Sequence, residues 1–194
     1  DKADLYGFAM LSSETDYKGK TIKLTKDIVV NTGDASKWAT KAPEYAWTAV
    51  GTRALPFAGT FDGDMHRIEG IYVNTNEKYS GLFGVVGSNA TVKNLKLTNS
   101  YFQTSTSDFG SITGRLDGTL DNIYTDAIVV GRIERVGGFV GITSGSKATI
   151  KNCWFAGSVK NTANHNINRG TGGFVGAVWD GKMLIENCLN TGRI

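Results

Sequence analysis

The chain predicts an all-β fold, a right-handed parallel β-helix with an N-terminal capping helix. Three observations carry this. First, a degenerate two-part repeat returns four times after residue 80. Its first half reads Gly81-Leu82-Phe83-Gly84, Ser111-Ile112-Thr113-Gly114, Gly138-Phe139-Val140-Gly141 and Gly173-Phe174-Val175-Gly176. Its second half is an apolar residue, a spacer and Asn: Val92-Lys93-Asn94, Leu120-Asp121-Asn122, Ile150-Lys151-Asn152 and Ile185-Glu186-Asn187. Second, the Asn residues stand 28, 30 and 35 positions apart. That is a solenoid period, shorter than the ~40 or more residues of a propeller blade. Third, strand-sized segments follow one another without a helical pattern between them, and glycine makes up 25 of 194 residues, roughly twice the usual ~7%. A chain that turns often with only two prolines fits stacked rungs, in which like residues form columns.

The elements follow in order. Leu5, Phe8, Ala9, Met10 and Leu11 lie close to helical spacing over residues 2–13. This short amphipathic helix is expected to cap the open first rung, whose edge would otherwise recruit other chains. Tyr17 to Lys20 reads as a turn. Thr21 to Thr25 alternates as a strand, and Asp27 to Val30 continues it. Residues 31–46 are a polar excursion, and Trp47 to Gly51 returns to strand character. Phe57 to Ile71 is a variant rung in which Gly70 is expected where later rungs carry Asn. The division is 1–20 cap, 21–79 variant rungs and 80–194 repeat rungs, all one domain.

Gly and Asn both tolerate positive φ, so Asn94, Asn122, Asn152 and Asn187 are expected at tight corners. Stacked along an axis, their amides can bond to one another. Gly84, Gly114, Gly141 and Gly176 are expected to permit bends and close approach of neighbouring rungs. The returns Tyr101 to Phe109, Asp126 to Arg135 and Lys160 to Thr171 are expected to bulge as loops. The last rung, ending at Ile194 without a cap, leads to the expectation that the native protein continues.

The motifs Gly81-Leu82-Phe83-Gly84, Gly138-Phe139-Val140-Gly141 and Gly173-Phe174-Val175-Gly176 resemble those of the GLUG-repeat proteins of bacterial surfaces and secretions. The leading helix, Gly19 to Ile28, Trp47 to Gly51 and Phe57 to Ile71 are similar to the same family. The resemblance covers nearly the whole chain and implies a β-helix and an extracellular or cell-surface location. Similar modules occur beside IgA-protease-type metallopeptidases and in adhesin-like proteins. The resemblance supplies no catalytic residues.

Composition narrows function further. Net charge is +3, from 21 basic and 18 acidic residues, with no basic run. Nucleic acid is therefore not an expected partner. No stretch approaches the ~18 apolar residues of a membrane span, so direct insertion is not expected. Two histidines, His66 and His165, lie far apart, and no H-E-x-x-H motif occurs. His66 reads as structural or exposed, and His165 as solvated in the loop Asn161 to Arg169. Asp62 and Asp64 around Gly63 offer too few oxygens for calcium and fit turn chemistry better. No metal or cofactor is expected. Cys153 and Cys188 follow the Asn in successive rungs and are expected to stack as buried free thiols.

Asp121, Asp126, Glu134 and Arg135, with Lys96 or Lys151, could cluster as carbohydrate-cleaving groups, but solvated surface charge is the favoured reading. The sharpest candidate is a column two residues after the corner: Tyr72, Lys96, Tyr124, Trp154 and Leu189. Alternation points it outward, and exposed aromatics in a row suit a sugar ring or a partner surface. A second outward column, Thr91, Thr119 and Thr149, is interrupted by Leu184 and is too small for an ice-binding array. The expected role is a non-enzymatic scaffold or adhesion module that binds a glycan or a host surface protein. The alternatives are a carbohydrate-binding or carbohydrate-cleaving β-helix and a module that positions substrate for a neighbouring peptidase domain.

Overall fold

A computed structural model describes residues 1–145, 147–162 and 170–194. The fold is all-β and β-helix-like, with one α-helix among the described residues. Every strand pair is parallel, and the strands form four sheets. The first sheet runs Thr21–Lys23, Thr60–Asp62, Thr91–Thr98, Thr119–Thr125, Ala148–Lys151 and Met183–Glu186. The second stacks Phe83–Val86, Thr113–Leu116, Val140–Thr143 and Val175–Val178. The third stacks Tyr72–Thr75, Tyr101–Thr104, Ile128–Gly131 and Ser158–Asn161. The fourth is short: Phe109–Gly110, Val136–Gly137 and Thr171–Gly172.

Register is what builds the core. Phe61, Val92, Leu120, Ile150 and Ile185 stand directly over one another, as do Val73, Phe102, Val129 and Val159. Most of these are buried. Burial of apolar area in such columns is the main favourable term. Ile185 is the instructive exception at 45% exposed. It continues an inner column, yet among the described residues no strand stacks on its far side. Val178, Leu184 and Leu189 of the same rung are also at least half exposed.

The helix α1, Lys2–Leu11, closes the other end. Asp1 caps it by accepting from the Ala3 and Asp4 amides, in a capping box with Asp4. Leu5, Phe8 and Ala9 are buried, whereas Met10 and Leu11 face solvent. Phe8 stacks on Phe61 at 5.6 Å and meets Phe57 edge-on at 5.9 Å. The helix thus covers the first rung with one aromatic wedge.

Three expectations change. Trp47 to Gly51 forms no strand: Val50 makes an isolated bridge to Phe83, and Trp47 serves as a buried plug whose Nε1 donates to the Leu82 carbonyl (3.0 Å). The returns Tyr101 to Phe109 and Asp126 to Arg135 each contain a strand, Tyr101–Thr104 and Ile128–Gly131, which stack in the third sheet, whereas most of the return Lys160 to Thr171 lies outside the described residues. Gly70 does not stand where later rungs carry Asn. The partner of Lys93 is Asp62 and that of Lys96 is Arg67, so the first-rung corner is Gly63-Asp64-Met65-His66. It holds two more residues than the Asn94-Leu95 corner and takes a turn with Asp64 and Met65 both at positive φ. Gly70 follows Glu69, the partner of Thr98, and lies against the Asn31 backbone, where a Cβ would stand 2.1 Å from the carbonyl oxygen.

The excursion at 31–46 is clasped by Asn31, which donates to the Tyr45 and Gly70 carbonyls (both 2.8 Å). It lays Trp38 edge-on against Tyr72, which stacks on Tyr101.

Candidate functional site

Asn94, Asn122, Asn152 and Asn187 share left-handed backbone, with φ between 51° and 55°. At each one the chain bends without losing register. Asn122 Nδ2 donates to Asn94 Oδ1 at 2.9 Å, and Asn187 Nδ2 to Asn152 Oδ1 at 3.4 Å. The other two amides bond to carboxylates instead: Asn94 to Asp62 (3.0 Å) and Asn152 to Asp121 (2.8 Å). The ladder is therefore mixed Asn and Asp. Gly84, Gly114, Gly141 and Gly176 are also in register across the second sheet. None has positive φ. Their reason is space: a Cβ on Gly141 would lie 2.1 Å from the Phe109 nitrogen. Close approach is thus the cause, and bending is not.

The spacer between the apolar residue and Asn builds a charge ladder. Lys23, Asp62, Lys93, Asp121, Lys151 and Glu186 align and alternate in sign along the stack. Lys93 lies 3.3 Å from Asp62 and Lys151 3.4 Å from Asp121. Burial would raise the Asp62 pKa, but the Asn94 amide, the Asp64 N–H and Lys93 together hold it below the usual range. The same Asp64 N–H contact (2.9 Å) is the turn chemistry expected of that segment. The Thr column is longer than the sequence suggested, because Thr21 and Thr60 extend Thr91, Thr119 and Thr149.

Beyond the corner, Lys96, Tyr124, Trp154 and Leu189 form one outward column, as expected. Leu95, Ile123, Cys153, Leu97 and Phe155 beside them point in and are buried. Tyr72 is not a member. It pairs with Tyr101 in the third sheet and is 7% exposed under Trp38. Its place is taken by Arg67, the register partner of Lys96. The difference traces to Gly70, which follows the partner of Thr98 and so stands opposite Asn99, not opposite Asn94. Aligning Thr60-Phe61-Asp62 with Thr91-Val92-Lys93 would have found it.

Tyr124 and Trp154 meet edge-to-face at 5.1 Å. Trp154 is 44% exposed and donates from Nε1 to Thr191 Oγ1 (2.8 Å), which fixes its ring. Burial raises the Tyr124 pKa, and nearby Asp126 adds to it. Lys96 is exposed and has no ion pair among the described residues. Arg67 is tied to Glu69 (3.3 Å) and Asp27 (3.7 Å). His66, half-buried, has Nδ1 3.3 Å from Asp27 Oδ1. His165 lies outside the described residues, as does most of the loop Asn161 to Arg169.

The tested acid cluster does not converge. Asp121 serves Lys151 and Asn152. Asp126 accepts from the Asn99 amide (2.7 Å), and burial raises its pKa. Glu134 and Arg135 stand before Val136–Gly137, where Arg135 pairs with Asp108. Cys153 and Cys188 are free thiols on adjacent rungs; Cys153 is buried and Cys188 half-buried. Burial pushes the Cys153 thiol up to about 12.

No family model and no solved structure matches the chain. Two curated proteins are similar to part of it. A protein described as Gly-rich and membrane from Evansella cellulosilytica is 37% identical over 83 residues, 41% of this chain. Halomucin of Haloquadratum walsbyi is 36% identical over 86 residues, 44% of this chain. The matched segments span only 10% and 1% of those relatives' own lengths. Among the described residues, no helix is long and apolar enough to cross a membrane.

Proposed function

We propose that this chain is a non-enzymatic scaffold or adhesion module of an extracellular, cell-surface protein. In this reading it is a right-handed parallel β-helix of the GLUG-repeat type that presents a ligand-binding column to a glycan or a host surface protein. One observation carries the binding claim: Lys96, Tyr124 and Trp154 stand in register on one outward face, with Trp154 oriented by Thr191. The exposed Trp154 ring, held edge-to-face by Tyr124 in a column with an unpaired cation, suits a pyranose ring with polar substituents. The names of the two relatives, membrane protein and halomucin, support a surface setting. The small share of their lengths that is matched supports a module covalently joined to neighbouring domains.

A glycan array tests the binding claim. The chain is expected to retain a defined subset of glycans, and Trp154→Ala to weaken that retention at least tenfold, about 1.4 kcal/mol. Retention unchanged in Trp154→Ala and in Tyr124→Ala would remove the column as the site.

A further inference from the structure

A second outward feature lies on a different face. Tyr79, Asp108, Arg135 and Gly170 precede Ser80, Phe109, Val136 and Thr171, which are in register. All four have positive φ, between 56° and 65°. Only the last is glycine. Left-handed Tyr and Arg cost energy that an Asn or Gly would avoid. Beside this column opens a cleft of about 360 Å³, within the range of small-molecule sites. Arg53, Lys78, Asp108, Arg115, Arg135 and Trp179 line it.

The charges there are organised around one carboxylate. Asp108 is 1% exposed and accepts from Arg135 through Nε and an Nη (3.2 Å). Lys78 Nζ stands 3.2 Å from the same carboxylate. Arg135 Nη1 also lies 3.4 Å from Glu134 Oε1, so Lys78 and Arg135 together meet two carboxylates. Arg115 is held by Asp117 at 2.9 Å, which fixes its guanidinium at the cleft wall. Arg53 has no ion pair among the described residues. Arg135 lies 5.5 Å from the Trp179 ring centroid, and Trp179 is 56% exposed. Stability does not require this arrangement, since apolar residues replace a buried ion pair at little or no cost.

We propose that this cleft binds a carboxylated saccharide. The sugar ring lies on Trp179, and its carboxylate is met by Arg53 and the remaining donors of Lys78. Asp108 and Arg135 hold the frame: the buried pair fixes the Arg135 plane, and that plane backs the indole. Arginine suits planar recognition of carboxylate, and lysine adds a point charge. The cleft is separate from the Tyr124–Trp154 column, so the two readings stand or fall independently.

Calorimetric titration with tetragalacturonate, neutral maltotetraose and inorganic phosphate tests it. Tetragalacturonate is expected to bind at least tenfold more tightly than maltotetraose, and less tightly as salt rises. Arg53→Gln and Trp179→Ala, both at exposed positions, are each expected to weaken binding tenfold or more. The proposal is overturned by no binding of tetragalacturonate at millimolar concentration, or by equal affinity for maltotetraose. It is also overturned by phosphate binding as tightly with Trp179→Ala silent, which makes the cleft a bare anion site. Loss of binding in Trp154→Ala alone would place the saccharide on the other column.

Discussion

Replacing Asn122 separates the two tasks assigned to the corner asparagines. Its φ of 55° is a backbone demand, and its 2.9 Å bond to Asn94 is a side-chain contribution. Gly and Ala both remove the bond, which is solvent-exposed and worth about 0.5–1 kcal/mol. They differ in the backbone term. Ala in left-handed conformation costs about 1–2 kcal/mol. Gly avoids that cost and instead loses about 0.4–1 kcal/mol through the entropy of its unfolded chain. Asn122→Gly is therefore expected to be the more stable variant by about 0.8 kcal/mol. At Thr119, an ordinary strand position without positive φ, the order inverts, because Gly only adds entropy there. Urea denaturation followed by circular dichroism gives both differences. If Asn122→Ala matched or exceeded Asn122→Gly, the corner would not need its left-handed residue and the reasoning would fail.

Phe8→Ala strips the wedge of α1 from Phe57 and Phe61 and is expected to cost about 3–5 kcal/mol in the same assay, as buried Phe truncations do. Gly141→Ala places a methyl 2.1 Å from the Phe109 nitrogen and is expected to destabilise by at least about 1–3 kcal/mol, while an alanine at half-buried but uncrowded Gly7 in α1 is expected to stabilise. Asp121→Lys puts three lysines in consecutive rungs. It is expected to lose about 1 kcal/mol at low salt and less at 1 M salt, read from melts at both ionic strengths. The raised Cys153 pKa means the unfolded thiol ionises first. Stability from this thiol is intact below pH 9 and is lost between pH 9 and about 12, at about 1.4 kcal/mol per pH unit. Wild type is expected to show that extra slope relative to Cys153→Ala, and iodoacetamide is expected to modify Cys188 before Cys153.

Much of this was legible because a solenoid repeats its reasons. Each Asn-bearing corner needs the same φ, so the period could be read from residues 94, 122, 152 and 187 alone, and alternation then placed Leu95, Ile123 and Cys153 inside. The variant first rung was not legible from the Asn pattern. Its corner reaches the same bend by a four-residue turn through Asp64 and Met65, so counting from Gly70 moved Tyr72 into the wrong column and hid Arg67. The charge ladder was present in the sequence as Lys93, Asp121, Lys151 and Glu186, but its regularity emerges only when Lys23 and Asp62 are brought into register. The cleft at Asp108 was hidden for a different reason. Two of its left-handed residues are Tyr79 and Arg135, types that do not announce positive φ, and they converge with Asp108, Arg53 and Trp179 only through the stacking.

The in-register stack is tested most directly by proton–proton contacts in a nuclear Overhauser spectrum of the folded chain. The Tyr124 ring should show contacts to Trp154 and to the Lys96 side chain, and the Tyr72 ring to Tyr101 and Trp38. Contacts from Tyr72 to Lys96, or none between Tyr124 and Trp154, would contradict the arrangement.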